Sequence, residues 1–265
     1  SSVPLWSSER LTAKSGDTSM TAQQKAWFPF LFLLLVIPWA DAIDLGVARW
    51  AYSSEGAFWN GPLLQFMYNY ATFPARLIGA CGLLVFLFSF LKPQLAPCRR
   101  ACLVLFLMLS LGAGVIANVV FKNNWGRPRP KQVIEFGGTE AFRSFYTPRM
   151  DRCEVLCRSF PCGHCTMGFY FFTFIYLGRR HRIRLLSLSG YLVGLSLGVA
   201  LGITRVLQGG HFVTDVIAGG CMMWTLAYYL DDWVYVKLAI RYPTLFPGGN
   251  YERAHGTAAR GSHIH

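Results

Sequence analysis

Residues 101–121 and 185–204 each run without a charged side chain, for 21 and 20 residues respectively. About 20 apolar residues wound as a helix cross a hydrocarbon core of roughly 30 Å, so both segments have the length of a membrane span. Shorter uncharged runs at 26–40, 77–91 and 216–230 become spans once their polar ends reach the interface, and residues 159–178, which carry His164, make a sixth. The expected fold class is therefore all-α: a polytopic membrane protein whose six transmembrane helices form a bundle over residues 25–235. Composition agrees, since hydrophobic residues make up 53% of the chain and charged residues only 14%, against roughly 25% charged in ordinary globular domains.

The net charge of +12 does not point to nucleic acid, because the basic residues lie in short clusters between apolar segments rather than along one face. Anionic lipid head groups and phosphate suit that pattern better. Lys25, then Lys92, Arg99 and Arg100, then residues 179–184, then Lys237 and Arg241 fall on one side of a six-span arrangement. The positive-inside rule makes that side cytoplasmic. Against it stand the eight Lys and Arg residues of 122–158, which land outside.

Residues 1–24 are expected to be disordered, with 1–19 polar and Met20 resembling a natural start; residues 236–265 are expected to form a cytoplasmic tail. The stretch 41–70, with Trp50, Trp59, Tyr68 and Tyr70, suits the outer interface and shows no evident chemistry. Small residues at 112–114 close the third span and favour tight helix packing. The long segment 122–160 then reads as a lid or a head-group contact.

Three short segments stand at the outer ends of these spans: Lys122 to Pro130, Phe160 to His164, and Thr204 to Asp215. Lys122, Arg129 and Arg205 supply three cations, and the planar fork of arginine matches phosphate oxygens. Gly163 and His164 would open the fourth helix, whose free N–H groups and positive dipole end also favour an anion. His211 and Asp215, four residues apart, make a nucleophile and its orienting carboxylate, leaving His164 as acid on the departing oxygen. A two-metal site needs several carboxylates and only Asp215 lies among these residues, so no metal or other cofactor is expected. Two-step phosphoryl transfer through a phosphohistidine follows.

Together Lys-x6-Arg-Pro, Gly-His and Arg-x5-His-x3-Asp resemble the three signatures of the type-2 phosphatidic acid phosphatase superfamily, which is related to the vanadium haloperoxidases. The resemblance covers residues 122–215. It implies a six-helix membrane phosphatase without a metal, with His211 as nucleophile, Asp215 orienting it, His164 as acid, and Lys122, Arg129 and Arg205 on the phosphate. Bacterial members act on phosphorylated lipids at the periplasmic face of the inner membrane, and Trp125 to Pro130 followed by Phe136-Gly-Gly-Thr139 looks most like the lipid A phosphatase branch. Two positions depart from the family pattern. Cys162 replaces the serine before Gly163, where a hydroxyl would contact phosphate, and Thr204 replaces the serine before Arg205; Cys162 and Gly163 remain candidate phosphate contacts.

Four cysteines cluster at 153, 157, 162 and 165. Their spacing lacks two separated Cys-x2-Cys arms, so a Cys153–Cys157 disulfide in an oxidising outer loop is favoured over structural zinc. Cys162 as a nucleophile lacks the arginine six residues on that cysteine phosphatases use. Arg127, Arg143, Arg149 and Arg152 read as solvated or lipid-facing charges. Beside the lipid phosphatase stand three other readings: a lipid phosphotransferase of the same fold, a non-catalytic lipid-binding membrane protein marked by Cys162, and a small transporter, for which no internal repeat is visible.

Overall fold

The structure is a computed structural model that describes residues 22–148 and 156–246. All described secondary structure is helical apart from two isolated bridges, Tyr52 with Phe58 and Val133 with Glu140. Helices α1 (Ala26–Ala51), α2 (Pro62–Phe88), α3 (Pro93–Asn124) and α5 (Arg184–Leu207) are long and apolar enough to cross a membrane. The other two expected spans are α4, over residues 163–180, and α6, Val213–Asp232, which continues as helix to Arg241.

Helix α4 fails a hydropathy test for a physical reason: it is the centre of the bundle. Tyr170 and Ile175 are fully buried, and Phe169, Phe171, Phe172 and Leu177 pack with Val104 and Met108 of α3 and with Met223, Ala227 and Leu230 of α6. A helix shielded by its neighbours can carry Thr166 and Thr173, each satisfied by a backbone carbonyl one turn back. The peripheral helices do the reverse. Leu31, Leu34 and Leu35 on α1, Leu84 and Leu87 on α2, and Leu188, Leu192, Leu195 and Ile203 on α5 are exposed, an apolar surface that suits lipid rather than water.

Close packing of α4 on α5 rests on a glycine at every fourth position of α5. A Cβ on Gly190 would come within 2.5 Å of the Ile175 backbone nitrogen, and one on Gly198 within 2.3 Å of the Phe169 ring. Gly194 and Gly202 extend the same stripe against Phe172 and Val216. Small-residue stripes of this kind let helix backbones approach where the hydrophobic effect offers no preference between helix and lipid. The expected packing role of Gly112 on α3 is also observed, against Met223 and Leu226 of α6.

Helix α1 is longer than the expected first span. The proline at 38 tightens one turn, Ile37–Trp39, without ending the helix, which runs on through Asp41 and Asp44. Helix α2 likewise begins at Pro62 rather than near 77, so much of the stretch expected to lie at the interface is part of two long helices. The chain is already helical from Ala22, and residues 1–21 lie outside the described residues. At the opposite end of the bundle Arg99 and Arg100 are buried and donate to the Leu245 and Phe246 carbonyls, while Arg99 also donates to Ser89 Oγ at 2.8 Å. The expected tail thus begins as helix to Arg241, and its last described residues fold back on α3; residues 247–265 lie outside the described residues.

Candidate active site

Helix α5 ends at Leu207, and Gly209, with φ of +60°, turns the chain back. Gly210 then passes so close to Arg205 that a Cβ would meet its guanidinium at 2.1 Å, and the Gly210 N–H donates to the Arg205 carbonyl at 2.8 Å. His211 follows at once. It precedes α6 rather than lying on it, so it does not share a helical face with Asp215. Asp215 instead reaches back as a helix cap: Phe212 N–H donates to Asp215 Oδ2 at 2.9 Å. That turn brings Asp215 Oδ2 to 3.6 Å from His211 Nδ1, longer than a hydrogen bond but the distance of an ion pair. Catalytic hydrogen bonds are often long before substrate binds.

Asp215 is fully buried, and its charge is held by more than His211. Ser159 Oγ donates to Oδ2 at 2.6 Å and Arg127 Nη1 to Oδ1 at 2.6 Å. Arg127 is itself fully buried and also donates to Asp44 Oδ2 at 2.6 Å, to Thr214 Oγ1 at 2.9 Å and to the Arg143 carbonyl at 2.9 Å. Asp44 accepts in addition from the Thr214 N–H at 2.9 Å and from its hydroxyl at 2.6 Å. The reading of Arg127 as a solvated or lipid-facing charge is therefore overturned. Burial opposes its charge, but Asp215 and Asp44 outweigh that and hold its pKa above the ordinary value. The stretch 41–70 is likewise not free of chemistry, since it supplies Asp44. Of the three other arginines read in the same way, Arg149 and Arg152 lie outside the described residues.

In front of His211 the polar groups are of one sign. Lys122 at the end of α3 stands over Gly163, where a Cβ would lie 2.7 Å from its Nζ. It is close enough to Arg129 and Arg205 to feel their repulsion. The Nε atoms of Arg129 and Arg205 are buried without a partner in the structure. Arg205 donates through Nη1 to Gln208 at 2.6 Å, a neutral acceptor. Beside this cluster a polar cleft of about 450 Å³ is lined by Tyr68, Asn69, Arg129, Arg205 and Gln208. His164, in the first turn of α4, stacks on the Tyr68 ring with centroids 4.4 Å apart. Burial pushes the His211 imidazole down to about 4, with the Asp215 carboxylate opposing the shift, so the ring is neutral near pH 7.

Structure and expectation part at the cysteines. Cys162 is bonded to Cys165, across the first turn of α4. Its sulfur has no hydrogen to donate, so of the expected pair only the Gly163 N–H and the helix dipole remain to meet an anion. Cys157 is also disulfide-bonded; the expected bridge from it to Cys153 falls on a residue outside the described ones.

Sequence motifs thus locate His164, Lys122, Gly163, Arg129, Arg205, His211 and Asp215 at one end of the bundle, and the structure gathers them there. They miss Asp44, Arg127, Ser159, Thr214 and Tyr68. Asp44 carried a usable signal, being a carboxylate inside a long apolar helix, where an ionisable group needs a partner.

Among named proteins, the chain is 34% identical over 143 residues to the lipid A 4'-phosphatase of Francisella tularensis subsp. novicida, a match covering 54% of this chain and 60% of that one. It is 32% identical over 108 residues to the lipid A 1-phosphatase of Rhizobium etli, covering 40% and 39%. It is 30% identical over 112 residues to the lipid A 4'-phosphatase of Rhizobium leguminosarum, covering 42% and 45%. The chain thus spans between 39% and 60% of the length of these relatives. No solved structure matches it with significance. The model of one family does match, over residues 103–238, which takes in most of α3, all of α4 to α6 up to residue 238 and every site residue expected from sequence; this chain belongs to the PAP2 superfamily.

Proposed function

We propose that the protein is a metal-independent phosphatase of a phosphorylated membrane lipid, working through a phosphohistidine on His211. The observation that carries this reading is the division of charge around His211: a carboxylate network saturates the side behind it, and three cations with no carboxylate partner among the described residues stand in front. A phosphate group supplies the anion those cations lack. The neutral His211 ring, aligned by Asp215 at Nδ1, attacks phosphorus through Nε2 as the ester P–O bond breaks, and His164 gives its proton to the departing alkoxide. Water then attacks the phosphohistidine, His164 takes the water proton, and inorganic phosphate leaves with His211 restored. Lys122, Arg129, Arg205 and the Gly163 N–H hold the phosphate oxygens throughout.

The relatives named lipid A phosphatases make lipid A the first substrate to test. A place for hydrocarbon adjoins the site: Phe121 and Pro161, chain neighbours of Lys122 and Cys162, line an apolar groove of about 630 Å³ with Trp27, Phe30 and Met222. The Arg99 and Arg100 cluster at the opposite end of the bundle supports a cytoplasmic side there and a site that faces the periplasm.

The test is phosphate release by the purified protein, in chelator, from lipid A and from a panel of other lipid phosphates. Release by the wild type and its loss in His211→Ala is the expected result; equal release by His211→Ala refutes the phosphohistidine. The disulfide at Cys162 favours one second reading, a lipid-binding protein without turnover. In that case the wild type binds the lipid phosphates and releases none.

A further inference from the structure

Helix α2 lies outside the segment that the family model matches, yet one of its side chains reaches two members of the site. The Tyr68 ring stacks on His164 with an interplanar angle of 18° and centroids 4.4 Å apart. The Arg205 guanidinium carbon lies 4.7 Å from the same ring centroid. Among the described residues no hydrogen bond reaches the His164 imidazole and no carboxylate pairs with it as Asp215 pairs with His211. The plane of His164 is therefore set by the stack. Tyr68 also forms part of the wall of the polar cleft, and no hydrogen bond to its hydroxyl is found among the described residues, so the ring rather than the hydroxyl makes both contacts.

We infer that Tyr68 is a positioning residue for leaving-group protonation: its aromatic face, itself held against the Arg205 guanidinium, aims His164 at the departing oxygen. The inference rests on the phosphatase reading for its kinetic consequence, and on the ring contacts alone for its placement. A planar π face suits both contacts because it attracts a guanidinium and stacks an imidazole ring parallel to itself. Nothing else in the first turn of α4 offers His164 an orientation, as the neighbouring Cys162 and Cys165 are joined to each other.

The decisive comparison uses two substrates that differ in their need for an acid. A lipid phosphate leaves as an alkoxide and requires the proton; p-nitrophenyl phosphate leaves as a stable phenolate and does not. With the full chain in detergent, Tyr68→Leu is expected to lower kcat on the lipid phosphate about 10-fold or more and on p-nitrophenyl phosphate less than about 3-fold, whereas Tyr68→Phe stays within about 3-fold of wild type on both. Combined with His164→Ala, Tyr68→Leu should add nothing further on the lipid phosphate. Equal losses on the two substrates, additivity with His164→Ala, or a Phe variant as poor as Leu would overturn the assignment. Placement has its own measurement, the His164 ring-proton resonances, which the Tyr68 ring current shifts in wild type and Tyr68→Phe but not in Tyr68→Leu. Identical resonances in all three refute the contact, while a wild type that turns over neither substrate refutes the phosphatase reading and leaves the resonances to decide the contact.

Discussion

Arg127 and Arg129 stand two residues apart in one loop and belong to opposite kinds of region. Arg127 spends its donors on Asp44, Asp215, Thr214 and a backbone carbonyl, and no part of it meets solvent. Arg129 faces Lys122 and Arg205, and its buried Nε has no partner. The first region is an anchor in which every charge is answered from within the chain; the second is a mouth whose charge is answered by no carboxylate among the described residues. Burial alone therefore does not mark a functional cation in this bundle. Arg99 and Arg100, at the other end, are as buried as Arg205; the Arg100 Nε also lacks a partner among the described residues, but both guanidinium groups donate to the chain's own carbonyls. An unanswered charge marks the place for a ligand.

That contrast breaks most clearly at the anchor. Asp44→Ala, which strips one partner from a buried pair, should cost about 3–5 kcal/mol of stability, read as a shift of the unfolding transition in detergent. A loss under about 1 kcal/mol would show that the anchor is not one. Arg205→Ala at the mouth should do the opposite. Removing one preset donor is expected to lower phosphate release about 10²-fold, while relief of repulsion leaves the unfolding midpoint unchanged or higher.

The boundary between the two regions is His211, and pH probes it. Because burial lowers its folded-state value from 6.5 to about 4, kcat/KM should hold steady down to about pH 4 and then fall roughly tenfold per unit as the nucleophile takes a proton. The sign for stability follows from the same shift. Between 6.5 and 4 the unfolded chain binds the proton and the folded one does not, so this histidine's contribution to stability is complete above 6.5 and is lost as pH falls to 4. A profile with its acid limb near 6.5 would place His211 in water rather than between anchor and mouth. The smallest expected effect is at the rim: Cys165→Ser frees the Cys162 thiol as a weak donor, worth about 1 kcal/mol or a few-fold in phosphate release. No change would mean that Cys162 does not face the phosphate.

How much of this was legible in the sequence divides along the same line. The mouth was readable because its residues come in fixed spacings with a chemical purpose, Lys122 to Arg129 and Arg205 to His211 to Asp215. The spans of α3 and α5 were readable from uncharged length alone. The anchor was not, since pairing depends on which helices are neighbours: Asp44 and Arg127 are separated by 83 residues, and nothing local in either requires the other. The ends of α1 and α2 were misread for a related reason, because Trp, Tyr and Asp residues have the composition of an interface whether or not the backbone continues as helix. The Cys162–Cys165 bridge is visible as a Cys-x2-Cys spacing, but nothing in that spacing tells a pair that brackets a helix start from a metal arm or a loop bridge.

Asp44 also carries a consequence for how the molecule is made. Its partners lie 83 residues downstream, at Arg127, and 170 downstream, at Thr214. During synthesis the carboxylate on α1 enters the bilayer long before either is translated; Arg127 follows α3, and the full set of partners is present only when α6 arrives. No shorter nascent chain can hold the anchor closed, so the mouth cannot be assembled piecemeal: the earliest part of the bundle and the latest meet in one step, and His211 is set in place only by that meeting.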